Sequence, residues 1–169
     1  MLVLDSFTAA AAEGLIALAA ARAALAGKNL AEVSAAALRV RDKVNIVAYM
    51  DTVRYVYRSG RIPKIASVAG SMLKIRPIFT FSNGMPRFMG AVRSKAIGIE
   101  RLLEEMHEKA GNNPIHVAVM HVYAKENAIA LKNRVGNEFN CTELWLTEFS
   151  PLMGYACGTG TLGLAFYPD

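Results

Sequence analysis

Two arginines stand where an anion could be held. Arg61 follows Gly60 in a turn, and Arg93 precedes a helix that opens at Ser94. Turn amides and a helix N-terminus add donors and positive potential to a guanidinium. The surrounding stretch, Thr52 to Ile99, carries nine Lys and Arg residues and no Asp or Glu. Its basic residues alternate with apolar ones, so this is a folded region and not a solvated tail. From Arg39 to Lys95 there are twelve basic residues against two acids, Asp42 and Asp51; the rest of the chain has seven against twelve. An anion-facing middle is the expectation. The plainer alternative is a basic face without a ligand, each arginine pairing with a distant carboxylate.

Gly158-Thr159-Gly160-Thr161-Leu162-Gly163 matches the spacing of a dinucleotide fingerprint. That motif must open a helix and be followed by an acid about twenty residues on. Only six residues follow Gly163, and they read as strand. A tight turn is the better reading, with Gly158 and Gly160 letting backbone N–H groups approach an anion. His116 and His121 are five apart and point to opposite sides of a strand, so with His107 and the two cysteines they make no metal site. Cys157 reads as a small buried residue. No Walker loop, serine nucleophile motif or carboxylate pair is present. No cofactor, metal or catalytic residue is expected.

The elements that must position these residues alternate between strand and helix, which points to an α/β fold. Leu2-Val3-Leu4 reads as a buried strand, with Asp5 or Ser6 capping the helix after it. That helix, Thr8–Ala26, has Glu13 and Arg22 on opposite sides and no continuous polar stripe, so burial all round is expected. Asn29-Leu30-Ala31-Glu32 opens a second helix with a capping box. Val44–Met50 reads as a strand, Thr52–Arg58 as a helix capped by Asp51, and Ile65–Leu73 as a short helix. Ile75–Phe81 and Phe88–Val92 read as strands joined through Asn83-Gly84. Ser94–Lys109 is amphipathic, with Ala96, Ile99, Leu102, Leu103 and Met106 on one face. Then come a strand at Ile115–Tyr123, a helix at Lys125–Glu138, a strand around Leu144–Leu146, a short helix from Ser150-Pro151 and a strand at Leu162–Tyr167.

At 169 residues and 53% hydrophobic, the chain can bury a large core in one domain plus an appendage. Two cysteines make no disulfide framework, and no basic segment precedes an apolar core at the N-terminus; a reducing cytoplasm is expected, without a signal peptide. Glu13 and Arg22 interrupt the longest apolar run, so no membrane span is expected.

Read in order, several short motifs resemble the DegV family of bacterial fatty-acid-binding proteins. They are Asp5-Ser6, Ala19-Ala20 to Gly27, Asp51-Thr52-Val53, Ser59-Gly60-Arg61-Ile62, Leu73-Lys74-Ile75-Arg76-Pro77-Ile78, Asn83-Gly84, Arg93-Ser94-Lys95-Ala96 and the Gly158–Gly163 turn. The resemblance implies a DegV-like C-terminal α/β domain over residues 43–169. It makes residues 1–42 a strand–helix remnant of, or a layer packing on, a Rossmann-like N-terminal domain lacking here. It implies a long-chain fatty acid buried between domains and presented to a fatty-acid kinase that makes an acyl phosphate. Arg61 and Arg93 resemble family arginines associated with the head group and the partner. Family members often carry His-x-Gly-Pro-Gly near the end; here that run is Ala156-Cys157-Gly158-Thr159-Gly160. An Ala156 methyl cannot donate a hydrogen bond to a carboxylate.

The reading is therefore a non-enzymatic lipid binder. Apolar residues of Ile65–Ile78 and Ile115–Tyr123 should line the acyl tunnel; Arg61, Arg93, Ser94, Gly158 and Gly160 should form its polar end. The Thr8–Ala26 helix should self-associate or need an upstream segment. The alternatives are a basic nucleic-acid-binding module, disfavoured because no helix-turn-helix, RRM or zinc pattern is present, and a truncated DegV-like domain without ligand function. An enzyme is disfavoured by the lack of a base beside a nucleophile.

Overall fold

Strand β1 (Asn45–Tyr49) lies near the middle of one six-stranded sheet and sets the alternation on which the fold is built. Val47 and Tyr49 point to one face, Ile46 and Ala48 to the other, as a strand's period of two requires. The computed structural model describes residues 1–60 and 75–169. The anticipated helix at Ile65–Leu73 and Arg61 itself lie outside the described residues.

The remaining strands are β2 (Arg76–Ser82), β3 (Met85–Val92), β4 (Ile115–His121), β5 (Cys141–Glu148) and β6 (Leu162–Pro168), ordered β3-β2-β1-β6-β4-β5. All neighbours are antiparallel except β4 and β5. The β2–β3 connection is Asn83-Gly84, both with positive φ (53° and 74°), the geometry a two-residue hairpin favours. This is the α/β architecture the sequence implies.

Helices α4 (Lys95–Ala110) and α5 (Lys125–Glu138) cover one face. Leu102, Leu103 and Met106 from α4 and Leu131 and Val135 from α5 meet Val47, Tyr49, Val117, Val119 and Leu164 there. Ser94 caps α4 by accepting a hydrogen bond from the Ile97 amide. Gly98 takes the place Ala96 was expected to fill: it is buried, while Ala96 is exposed. Any Cβ at Gly98 would run into the Tyr49 ring.

The other face carries α1 (Ala10–Leu25) and α2 (Leu30–Lys43). The Asn29–Glu32 capping box forms as expected. Ala12, Leu15 and Ile16 of α1 and Ala37 and Val40 of α2 pack against Ile46, Ala118, Met120 and Ala165. Arg22 reaches from α1 to Glu143 on β5, which also bonds His116.

Three expectations fail here. Leu2–Leu4 forms no strand and is exposed, because no neighbouring strand pairs with it. Neither Asp5 nor Ser6 caps α1; Ala9 holds that position, and Asp5 Oδ1 accepts from the Phe7 amide instead. Helix α1 is not buried all round: one side faces the sheet, while Leu18 and Leu25 on the other are exposed.

Helices α3 (Arg54–Arg58) and α6 (Pro151–Cys157) are short and touch each other on this same side. Asp51 does not cap α3; Thr52 Oγ1 accepts from the Arg54 amide, and Asp51 is engaged elsewhere. Ser150 caps α6 through the Met153 amide, with Pro151 in its first turn.

Two glycines in helices should respond oppositely to a side chain. Gly98→Val drives a branched side chain into the buried Tyr49 ring and should cost about 1–3 kcal/mol of overpacking. Gly14→Ala on α1 meets no atom within 4 Å and should gain about 0.5–1 kcal/mol. Denaturant midpoints of the two variants should move in opposite directions.

Candidate functional site

A cavity of about 400 Å³ opens on the α1 side of the sheet. Ile46, Ala48 and Met50 form one wall, as alternate positions along β1 and its end, and Phe79 and Phe81 continue it on β2. Val56 and Ser59 come from α3 and its end; Met153, Ala156 and Cys157 come from α6, at helical spacing. Ala9, Met85, Pro86 and Phe149 complete the lining. Among the described lining residues Ser59 alone has a hydroxyl, and that hydroxyl donates to the Val56 carbonyl at 2.8 Å. The volume is within the range of about 300–1,000 Å³ usual for small-molecule sites. No Asp, Glu, Lys, Arg or His is among the described residues of the wall.

The expected tunnel lining was different. Residues Ile115–Tyr123 do not line this cavity: Val117 and Val119 are packed under α4 and α5, and Met120 and Val122 under α1 and its neighbours. Ile78 faces the α4 side as well. Of the anticipated Ile65–Ile78 contribution, residues 61–74 lie outside the described residues. Ala156 is buried and presents only its methyl group to the cavity.

The anticipated polar residues gather elsewhere, around Asp51. Arg76 Nε donates to Asp51 Oδ1 at 2.9 Å, and Arg76 Nη1 donates to the Arg93 carbonyl at 2.9 Å. The Tyr49 hydroxyl donates to the same Asp51 oxygen at 3.0 Å. Gly160 lies against this carboxylate; a Cβ there would be 2.9 Å from Asp51 Cβ, and its φ of 83° is one that side chains avoid. Gly158, with φ 84°, faces the Tyr55 ring. Their N–H groups are already bonded, Gly158 to the Gly154 carbonyl and Gly160 to that of Val122. In this structure both donors serve the α6–β6 turn. Arg93 and Ser94 flank the start of α4, and the Arg93 side chain is exposed. Thus Gly160 lies against Asp51, the Arg93 carbonyl is tied to Asp51 through Arg76, Gly158 lies beside Tyr55, Ser94 caps α4, and none of the four lines the apolar cavity.

Asp51 and Arg76 are the residues sequence reasoning missed as a pair. A signal was available, since Asp51 is one of two acids in the basic middle. Burial pushes the Asp51 carboxyl up, but hydrogen bonds from Arg76 and Tyr49 and the charges of Arg76 and Lys95 outweigh it, so Asp51 is held below the usual carboxylate range. Burial, and then the Asp51 carboxylate, push the Tyr49 phenol well above its ordinary value. Among the described residues no group of three or more His, Cys, Asp or Glu is gathered as a metal site, and no helix is long and apolar enough to cross a membrane.

The family model described as "Uncharacterised protein, DegV family" matches residues 1–169. The chain belongs to the DegV family. It is 29% identical to a DegV domain-containing protein of Clostridium acetobutylicum over 168 residues, which is 99% of this chain and 59% of that protein. It is 32% identical to one of Streptomyces coelicolor over 163 residues, covering 96% of this chain and 58% of the relative. The chain therefore spans under three-fifths of the length of these curated DegV relatives. A DegV family structure from Thermus thermophilus, described as fatty acid binding, superposes with a TM-score of 0.89 at 23% identity, over 99% of this chain and 61% of that one. The DegV architecture is thus shared.

The Asp51 pair generates a pH prediction. A carboxyl lowered on folding adds stability above its unfolded value, near 3.9, and loses it as pH falls through and below that value. Asp51 is about half exposed, so the effect is small. Asp51→Asn should lower the melting temperature slightly at pH 7 and flatten its fall between about pH 5 and 2. Parallel acid slopes for variant and parent would contradict this account.

Proposed function

We propose that this chain is a non-catalytic binder of a long-chain fatty acid, whose hydrocarbon tail occupies the cavity between the sheet and the α3–α6 pair. The observation that carries the reading is the cavity wall itself: thirteen of its fourteen described residues lack a hydroxyl, amide or charge. Burying a tail there gains about 25 cal/mol per Å² of apolar surface, and there is almost nothing polar to desolvate. The description of the Thermus relative as fatty acid binding supports it.

Presentation of the bound acid to a fatty-acid kinase is the finer part of this proposal. Arg93 and Ser94, at the exposed start of α4, are then candidates for partner contact, together with Arg61. Arg54 and Arg58 are also exposed, on the helix α3 whose Val56 lines the cavity. Since the chain spans under three-fifths of its relatives, a second body is expected on the outer side of residues 1–42. The exposed Leu18 and Leu25 of α1 are its contact points, or those of a second copy. A reducing cytoplasm is the proposed compartment.

Lipid extracted from the purified protein under denaturing conditions should contain a long-chain fatty acid by mass spectrometry. Ala48→Phe fills the cavity and should abolish fatty-acid binding while circular dichroism stays unchanged. A lipid-free protein whose melting temperature does not rise with added fatty acid would overturn the reading.

Sedimentation tests the outer face. The unmodified chain should self-associate, and a Leu18→Glu, Leu25→Lys double variant should run as a monomer. A monomeric parent that binds no apolar dye would show that α1 needs no further cover.

A further inference from the structure

The apolar cavity has two unlike ends. Ile46 and Met50 both line it, four residues apart, which is about 13 Å along a strand. At the Met50 end lie α3, with Arg54 and Arg58 exposed, and the exposed Arg93, whose carbonyl is tied through Arg76 to Asp51. At the Ile46 end the wall is Ala9, Phe81, Met85 and Pro86, with no charge among them. An anionic head group belongs at the basic end, which sends the methyl end of the tail towards the β2–β3 hairpin. We propose that Met85 is the end stop of the cavity and sets the longest acyl chain it holds. The assignment rests on the acyl reading of the cavity.

Two features confine the tail to Met85. A chain that ran straight on past Ile46 and Phe81 would enter a second pocket, about 310 Å³, which shares those two side chains. Its wall carries Ser6, Thr8, Arg41, Asp42 and Asn83. Hydrocarbon there would displace water from polar groups and return no hydrogen bond, which is costly. The apolar way out is over Met85 and Pro86.

Met85 opens β3 and is 62% exposed although it lines the cavity, so it separates the cavity from solvent. The turn beneath it is anchored, since the Phe7 carbonyl accepts from the Gly84 amide at 2.9 Å. The adjustable part is the unbranched Met85 side chain, with its three rotatable bonds. An extended chain with C–C bonds of about 1.5 Å advances about 1.3 Å per carbon, so the β1 wall matches about ten carbons. With the carboxylate beyond the Met50 end, lauric acid stops short of Met85, and the last carbons of palmitic acid reach it. Each further methylene adds about fourfold in affinity only if it finds apolar wall.

The test measures affinity against chain length for lauric, myristic, palmitic, stearic and arachidic acids. Dissociation constants come from displacement of a fluorescent fatty-acid analogue below the micelle concentration, with the analogue's own affinity measured for each variant. In the parent, affinity should climb to palmitic acid and climb no further. Met85→Ala removes the stop, so the climb should continue and arachidic acid should gain about tenfold or more. Met85→Trp moves the stop inward and should weaken stearic acid about tenfold while sparing myristic acid. Lauric acid should bind parent and both variants alike, which shows that each cavity is intact. The same profile in all three proteins, or a loss of equal size at every chain length, would overturn the end stop and leave the acyl reading standing. A parent protein that binds none of the five acids would overturn both.

Discussion

Among the described residues, one face of the sheet has two unequal covers, and the cavity lies under the smaller. Helices α1 and α2 run 16 and 14 residues and lie over β1, β6 and β4. Among the described residues, α3 and α6, of five and seven residues, cover the β2 side of that face. Among the described residues, these two short helices leave space above Phe79, Phe81 and the small Ala48. The opposite face shows what a complete cover does. There α4 and α5 bring Leu102, Leu103, Met106, Leu131 and Val135 down on Val47, Tyr49 and Leu164, and the packing closes.

Much of this was legible because it is local. The capping box at Asn29, the helix starts at Ser94 and Ser150, the Asn83-Gly84 turn and the helix Lys125–Glu138 each depend on a few adjacent residues. What failed depends on distant partners. Leu2–Leu4 has a strand's composition, but a strand forms only where another chain segment offers its edge. The all-apolar face of α1 invited complete burial, yet only the side bearing Ala12, Leu15 and Ile16 meets the sheet.

The geometry of the candidate site was not legible in the sequence. The Arg93 carbonyl and Gly160 both connect to the Asp51–Arg76 pair, whose members are 25 residues apart in sequence. The residues facing the cavity could not be read from the pattern. β1 and β4 are both continuous apolar runs, and nothing in either says which one lies beneath a thin cover. That choice follows from the strand order.

The strand order also fixes when the fold can be completed. β6, the sixth strand in sequence, is third from one edge of the sheet, paired with β1 on one side and β4 on the other. Until Leu162–Pro168 has been synthesised, β1 with its hairpin and β4 with β5 are two separate half-sheets, each with an open edge facing the other. Chain order thus places the closing step last, and with it the period in which unpaired strand edges are exposed to other molecules.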